Sequence, residues 1–203
     1  MTAIRVAIVD DHPVVAEGTA ALLRAEPDLD VVAIADSVDA ARAAGLDRAA
    51  SADVVLLDIR LGRDSGLRFL TGPEERPAVL VLTAYDYPQY AEAARRLGAS
   101  GLVLKTAPVA DLASAIRTVA AGGTAFADGA GNEPLVHLTP REREVLGLVV
   151  EGRSNDEIGL ALGIGSKTVE THVGRMFERF GIASRTELAT RSVREGWLDL
   201  PPL

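Results

Sequence analysis

The sequence predicts a doubly wound α/β domain with five parallel strands, followed by an all-α domain of four helices that contains a helix-turn-helix. Three observations carry this expectation. Over the first 105 residues, short β-branched apolar runs alternate with stretches of helical period, as in a parallel sheet covered on both faces by crossover helices. Gly122, Gly123, Gly129, Gly131 and Pro134 then fall in a stretch with almost no periodicity. Beyond it, four helical patterns carry their own start and stop signals.

The strands are expected at residues 4–9, 31–35, 54–57, 79–82 and 102–104, each apolar almost throughout and therefore buried on both faces. Helices are expected at 14–24, 38–49, 66–70, 90–97 and 109–121. Gly72-Pro73 ends the third of them early, because proline lacks an N–H donor and biases the preceding residue away from the helical region. In the second domain, Thr139-Pro140-Arg141-Glu142 reads as a capping box with proline at the first helical position, and Gly152 closes that helix. Ser154-Asn155-Asp156-Glu157 opens the next, which ends at Gly163; Ser166 opens a third that runs to Gly181, and Ser184-Arg185-Thr186-Glu187 opens a fourth. All three Ser/Thr-x-x-Glu runs are expected to cap reciprocally. Only Gly163, Ile164 and Gly165 separate the second and third helices, the tight connection of a helix-turn-helix. The expected division is a first domain at 1–122, a linker at 123–136 and a second domain at 137–203.

A chain of 203 residues suits two modest domains at about 150 residues each. Hydrophobic residues make up 48% and charged ones 25%, which excludes wholesale disorder. The net charge is −8, but it is unevenly spread: 17 acids face 12 bases in residues 1–122, whereas 10 acids face 9 bases in 137–203. Any nucleic-acid contact by the second domain must therefore come from one local face and not from bulk charge. The absence of cysteine excludes disulfides, thiolate metal sites and thiol nucleophiles, and fits a reducing compartment. The N-terminal apolar run is broken by Arg5 and meets Asp10-Asp11, which is no signal-peptide pattern, and no apolar stretch nears the roughly 18 residues of a membrane span. A cytoplasmic protein without membrane contact is expected.

The chemistry-bearing residues of the first domain fall at the carboxyl ends of strands, where an open α/β sheet binds its ligands. Asp10 and Asp11 follow the first strand, Asp58 the third, Thr83 the fourth and Lys105 the fifth. Taken singly, each carboxylate would pass for a helix cap or a solvated strand end. Three converging with one lysine and one hydroxyl repel each other unless a hard cation compensates, and Mg²⁺ binds through one or two carboxylates plus water and phosphate oxygens. Asp58 can attack a phosphoryl group to form an acyl phosphate. Asp11, Asp58 and the main-chain carbonyl of Arg60 can hold the metal while Asp10 orients a metal-bound water. Lys105 and the Thr83 hydroxyl can each take a phosphate oxygen. His12, next to Pro13, is assigned no role, and Tyr85, Tyr87 and Tyr90 are expected to pack at the surface.

Val9-Asp10-Asp11-His12-Pro13, Leu57-Asp58-Ile59-Arg60, Leu82-Thr83-Ala84 and the run from Gly98 to Lys105 resemble the signature of a bacterial response-regulator receiver, a five-stranded flavodoxin-like fold. The run from Leu138 to Leu146, then Ser154-Asn155-Asp156-Glu157-Ile158 and Lys167 to Val173, resembles the LuxR-type output domain. Together they are similar to the NarL/FixJ subfamily over nearly the whole chain. The resemblance implies a two-component transcription factor, phosphorylated on Asp58 by a sensor histidine kinase. It implies a homodimer when active, bound to double-stranded DNA with inverted half-sites and paired through the last helix around Leu188, Arg191 and Ser192. Two positions depart from the family pattern. Leu102 stands where an aromatic usually precedes the lysine by three residues, so the aromatic part of the switch is absent. Gly62 stands where proline usually follows the phosphoacceptor by four residues, and a more mobile loop with less fixed metal geometry is expected there.

On the third helix of the second domain, Val169, Val173, Met176, Phe177 and Phe180 recur at helical spacing and read as core. The opposite face carries mixed charge, which alone would describe a solvated surface; the helix-turn-helix context makes it a recognition helix. Ser166, Lys167 and Thr168 at its N-terminus can reach phosphates. Glu170 can accept from cytosine N4 and Thr171 can meet a thymine methyl, while His172 and Arg175 are placed on the DNA backbone. Two rivals differ from this reading. One is a regulator of the same architecture controlled by a ligand or partner without phosphorylation. The other is a Mg²⁺-dependent aspartyl phosphatase, which needs its nucleophile after the first strand and a second aspartate one residue beyond the next; here Asp10 and Asp11 are adjacent and Asp58 lies on the third strand.

Overall fold

Residues 3–62, 64–73, 75–127, 136 and 138–199 are described by a computed structural model. The chain divides into two compact units between residues 135 and 136. Most of the expected linker, residues 128–135, lies outside the described residues.

In the first unit the order is β1 (Ile4–Val9), α1 (Pro13–Leu23), β2 (Leu29–Ala35), α2 (Val38–Ala43) and β3 (Val54–Asp58). A small antiparallel hairpin of β4 (Arg60–Leu61) and β5 (Asp64–Ser65) follows, then a 3-10 turn at Gly66–Thr71. β6 (Ala78–Thr83), α3 (Pro88–Arg96), β7 (Gly101–Leu104) and α4 (Val109–Ala120) complete it. The five long strands form one parallel sheet in the order β2-β1-β3-β6-β7. Val6, Ile8, Leu56 and Leu80 pack with Ala16, Leu23 and Ile116 on one side of it. The alternate residues Val55, Leu57, Val79 and Val81 are just as buried, so the central strands are covered on both faces, as continuous apolarity predicts.

β2 is the exception. Its burial alternates, with Val32 and Ile34 exposed, because an edge strand has sheet on one side only and the six-residue α2 ends well short of the expected helix to residue 49. At the other edge Ala125, inside the stretch read as linker, forms a parallel bridge to Gly101 and is held by Leu102 N–H and Ser100 carbonyl bonds of 2.9 Å. Glycine is needed at 101, since a Cβ there would lie 2.5 Å from the Ala125 carbonyl oxygen.

The second unit holds α5 (Pro140–Val150), α6 (Asn155–Leu162), α7 (Ser166–Phe180) and α8 (Arg185–Arg194). Val145, Leu146, Ile158, Val169, Val173, Met176, Leu188 and Trp197 form its core, and Phe177 and Phe180 pack against that core partly buried. Thr139 and Ser154 cap reciprocally with Glu142 and Glu157. The third run departs from the pattern: Ser184 caps Glu187 N–H, but the Glu187 carboxylate reaches back one residue further, to Ala183 N–H at 2.9 Å. α7 starts on Gly165 without a side-chain cap, so Ser166 is its first helical residue instead of its cap. The turn after α6 folds back so closely on it that a Cβ on Gly159 would sit 2.7 Å from the Ile164 carbonyl oxygen. Among the described residues no helix is long and apolar enough to cross a membrane.

Candidate functional site

Strand register assembles the acidic site. Val9 pairs with Leu57, so Asp10 and Asp58 emerge side by side from β1 and β3. Asp58 pairs with Leu82 and Thr83 with Leu104, which sets Thr83 and Lys105 at the same edge of the sheet. Asp10, Asp58 and Thr83 are all buried, at 4%, 6% and 1% exposure. Lys105 Nζ donates to Asp10 Oδ2 and to Asp58 Oδ2, each at 2.7 Å. Burial pushes the Asp58 carboxyl above its ordinary range, against the pull of Lys105. Burial opposes the charge on Lys105, but its bonds to Asp10 and Asp58 prevail and its pKa is raised, so the ammonium stays charged. The Thr83 hydroxyl accepts the Tyr85 N–H at 3.2 Å.

The backbone around Asp58 is held from below. A Cβ on Gly66 would lie 1.8 Å from the Asp58 carbonyl oxygen, so only glycine lets the chain after the hairpin pass there. Gly66 N–H donates to Ile59 carbonyl at 2.7 Å, a ladder bond of the hairpin. In the hairpin Arg60 pairs with Ser65 and Leu61 with Asp64. Gly62 N–H donates to Asp11 Oδ2 at 2.8 Å. Glycine at 62, where a more mobile loop was expected, supplies the N–H for this bond to the acid cluster, which proline lacks.

The donor set fits a divalent cation. Asp11 Oδ1 is buried with no hydrogen-bond partner, and ligand atoms of Asp10, Asp11, His12 and Asp58 all lie within 4.8 Å of one another. His12, given no role from the sequence, thus belongs to the cluster. Its adjacency to Asp11 was visible in the chain, but not that its ring turns back toward the carboxylates.

The tyrosines also differ from expectation. Tyr90 is fully buried, and only Tyr85 is exposed. Tyr85 stacks on Tyr87 at 5.3 Å, Tyr87 meets Tyr90 edge-on at 5.0 Å, and the Arg60 guanidinium lies 4.1 Å above the Tyr85 ring. This aromatic row links a residue beside Asp58 to the core under α3.

On α7, Lys167, Thr168, Glu170, Thr171 and Arg175 are exposed and Ser166 and His172 half-buried, opposite the buried Val169, Val173 and Met176. Lys167 Nζ holds both Glu170 oxygens, at 2.9 and 3.0 Å. The Thr171 hydroxyl donates to Lys167 carbonyl at 2.9 Å, which occupies the hydroxyl and leaves the methyl outward. On α8, Leu188 and Ser192 are fully buried, so of the residues expected to pair two copies only Arg191 reaches the surface, beside exposed Val193 and Arg194. Leu188 belongs to the hydrophobic core of the second unit, which removes it from any pairing surface.

Residues 6–117 match the family model of the response regulator receiver domain, and residues 136–192 match that of bacterial regulatory proteins of the luxR family. Transcriptional regulatory protein MctR of Rhizobium johnstonii is 34% identical over 207 residues, spanning 95% of this chain and 94% of that protein. Transcriptional regulatory protein UhpA of Salmonella typhimurium is 37% identical over 200 residues, spanning 96% of this chain and all (100%) of that one. Among solved structures, the response regulator ChrA of a heme-sensing two-component system is similar with a TM-score of 0.55 and 31% identity, over 97% of this chain and 100% of that one.

Proposed function

This chain is a two-component response regulator and transcription factor of the NarL/FixJ type, with a receiver domain and a LuxR-type DNA-binding domain, and from that premise we propose that Asp58 is its phosphoacceptor. The observation that carries the assignment is the buried Asp58 carboxylate bonded to Lys105 beside Asp10 and Asp11. The Asp58 carboxylate attacks phosphorus on the phosphohistidine of a sensor kinase. A P–O bond forms, the P–N bond breaks, and the departing imidazole nitrogen takes up a proton. Lys105 exchanges a carboxylate oxygen for a phosphoryl oxygen, and the Thr83 hydroxyl donates to another. Asp10, Asp11, Asp58 and the Arg60 carbonyl would hold Mg²⁺, which when bound offsets the charge spread over the phosphoryl oxygens.

DNA is read through α7. Ser166, Lys167 and Thr168 approach phosphates; Glu170 and Thr171 approach base edges, with His172 and Arg175 on the backbone. Two copies pair through the outer side of α8, at Arg191, Val193 and Arg194, on inverted half-sites. The protein works in the cytoplasm and acts as a switch, not as a phosphatase; turnover of a generic aryl phosphate is expected to be absent. The test is intact mass after incubation with Mg²⁺ and acetyl phosphate: one phosphoryl group is added to wild type and none to Asp58→Asn. Control without phosphorylation is the second reading, favoured by Leu102; it requires that wild type gain no mass.

A further inference from the structure

His12 is the cap residue of α1, yet its side chain makes no capping bond. Its backbone N–H is the group that works locally, donating to Asp10 Oδ1 at 2.9 Å. The imidazole is 65% exposed, but its Nδ1 lies 2.9 Å from Asp11 Oδ1 and 3.5 Å from Asp10 Oδ1. Asp11 Oδ1 is buried and has no hydrogen-bond partner, and ligand atoms of Asp10, Asp11, His12 and Asp58 all lie within 4.8 Å of one another. A neutral ring nitrogen offers a lone pair toward the same point as these carboxylate oxygens, and a shared cation would take both. Cis ligands on an octahedral ion about 2.1 Å from each lie about 3.0 Å apart, which is the separation found.

We propose that His12 Nδ1 is a nitrogen ligand of the divalent-ion site, and that it moves the preference of this receiver from Mg²⁺ toward first-row transition ions. The proposal rests on the reading of Asp10, Asp11 and Asp58 as a cation site. Mg²⁺ takes oxygen ligands and gains little from an imidazole, whereas Co²⁺ and Ni²⁺ accept imidazole readily. The nitrogen donor therefore separates the two classes of ion where an all-oxygen set would not.

Isothermal titration of the full chain with Mg²⁺ and with Co²⁺ tests this. His12→Ala is expected to weaken Co²⁺ binding roughly tenfold or more, while Mg²⁺ affinity stays within about twofold. Its exposure and unused cap make the variant foldable, and the backbone N–H to Asp10 is kept. Pulsed EPR of bound Mn²⁺ gives a second readout: imidazole nitrogen modulation in wild type and in His172→Ala, and none in His12→Ala. Modulation that survives in His12→Ala, or equal losses for Mg²⁺ and Co²⁺, overturns the proposal. Failure of wild type to bind any of the ions overturns instead the cation-site reading beneath it, and the ligand role with it.

Discussion

Lys105 is the residue on which the acidic site balances. It is the partner of both Asp10 and Asp58, and the two carboxylates are nearly inaccessible to water. Lys105→Ala leaves two buried acids facing each other. We expect a loss of roughly 3 kcal/mol in receiver stability, read by far-UV circular dichroism in urea, together with loss of phosphoryl uptake. Gly66→Ala makes a different prediction, because its Cβ would collide with the Asp58 carbonyl: phosphoryl uptake falls although no ionisable group has changed. At this scale the sequence was informative where chemistry depends on residue type at a strand end. Asp10, Asp11, Asp58, Thr83 and Lys105 were all nameable, since strand ends could be found from apolar runs. What was not nameable depends on direction. The inward turn of the His12 ring does not follow from spacing, because a side chain between strand and helix has no periodicity to fix its face; Tyr90, in the first turn of α3, is buried where a surface position was expected.

At the scale of elements, the caps hold the recognition unit together. Glu142 accepts from Thr139 N–H at 2.9 Å and from Arg179 at 2.8 Å. Burial pushes its carboxyl up, but these donors outweigh burial and hold it below the ordinary glutamate value of 4.5. A lowered folded-state pKa means stabilisation that is complete above the unfolded value and is lost as pH falls through the folded one. Glu142→Gln should therefore lower output-domain stability by about 1 to 2 kcal/mol at pH 7, with the difference shrinking below about pH 4.5. Trp197, the one tryptophan in the chain and buried in that domain's core, reports the unfolding by fluorescence.

On α7 the exposed Lys167 and Glu170 pair stabilises little by itself, so it yields readily to DNA. Glu170→Ala should weaken discrimination at one cytosine per half-site by roughly 1 to 3 kcal/mol and leave non-specific affinity equal or higher, since Lys167 is released toward phosphate. Lys167→Ala should weaken binding to all sequences alike and reduce its salt dependence. Selection from a randomised DNA pool separates them; unchanged base preferences in Glu170→Ala would make that residue part of a solvated face. Helices of eight or more residues were legible from caps and period. The hairpin of β4 and β5 was not, because two-residue strands show no alternation, and the edge position of β2 was not, because order in the sheet is set by crossovers far apart in sequence.

For the whole molecule the question is how phosphorylation at the proposed acceptor Asp58 is felt beyond the site without an aromatic at position 102. Within the first unit a row of contacts runs from Arg60 through Tyr85 and Tyr87 to Tyr90. It starts on an exposed ring, so its grip is weaker than that of a buried aromatic switch. Phosphorylation should shift the monomer–dimer equilibrium by less than the roughly 1 to 3 kcal/mol of ordinary allosteric coupling, and Tyr85→Ala should remove what shift there is. Sedimentation with and without phosphodonor measures both, and full conversion from monomer to dimer at micromolar protein would refute the weak coupling. All of this requires that the phosphoryl group sit on β3. Borohydride reduces an aspartyl phosphate to homoserine, so peptide mass analysis of the phosphorylated, reduced chain locates it. Homoserine at position 58 is the predicted result; homoserine at position 10 or 11 would contradict the assignment.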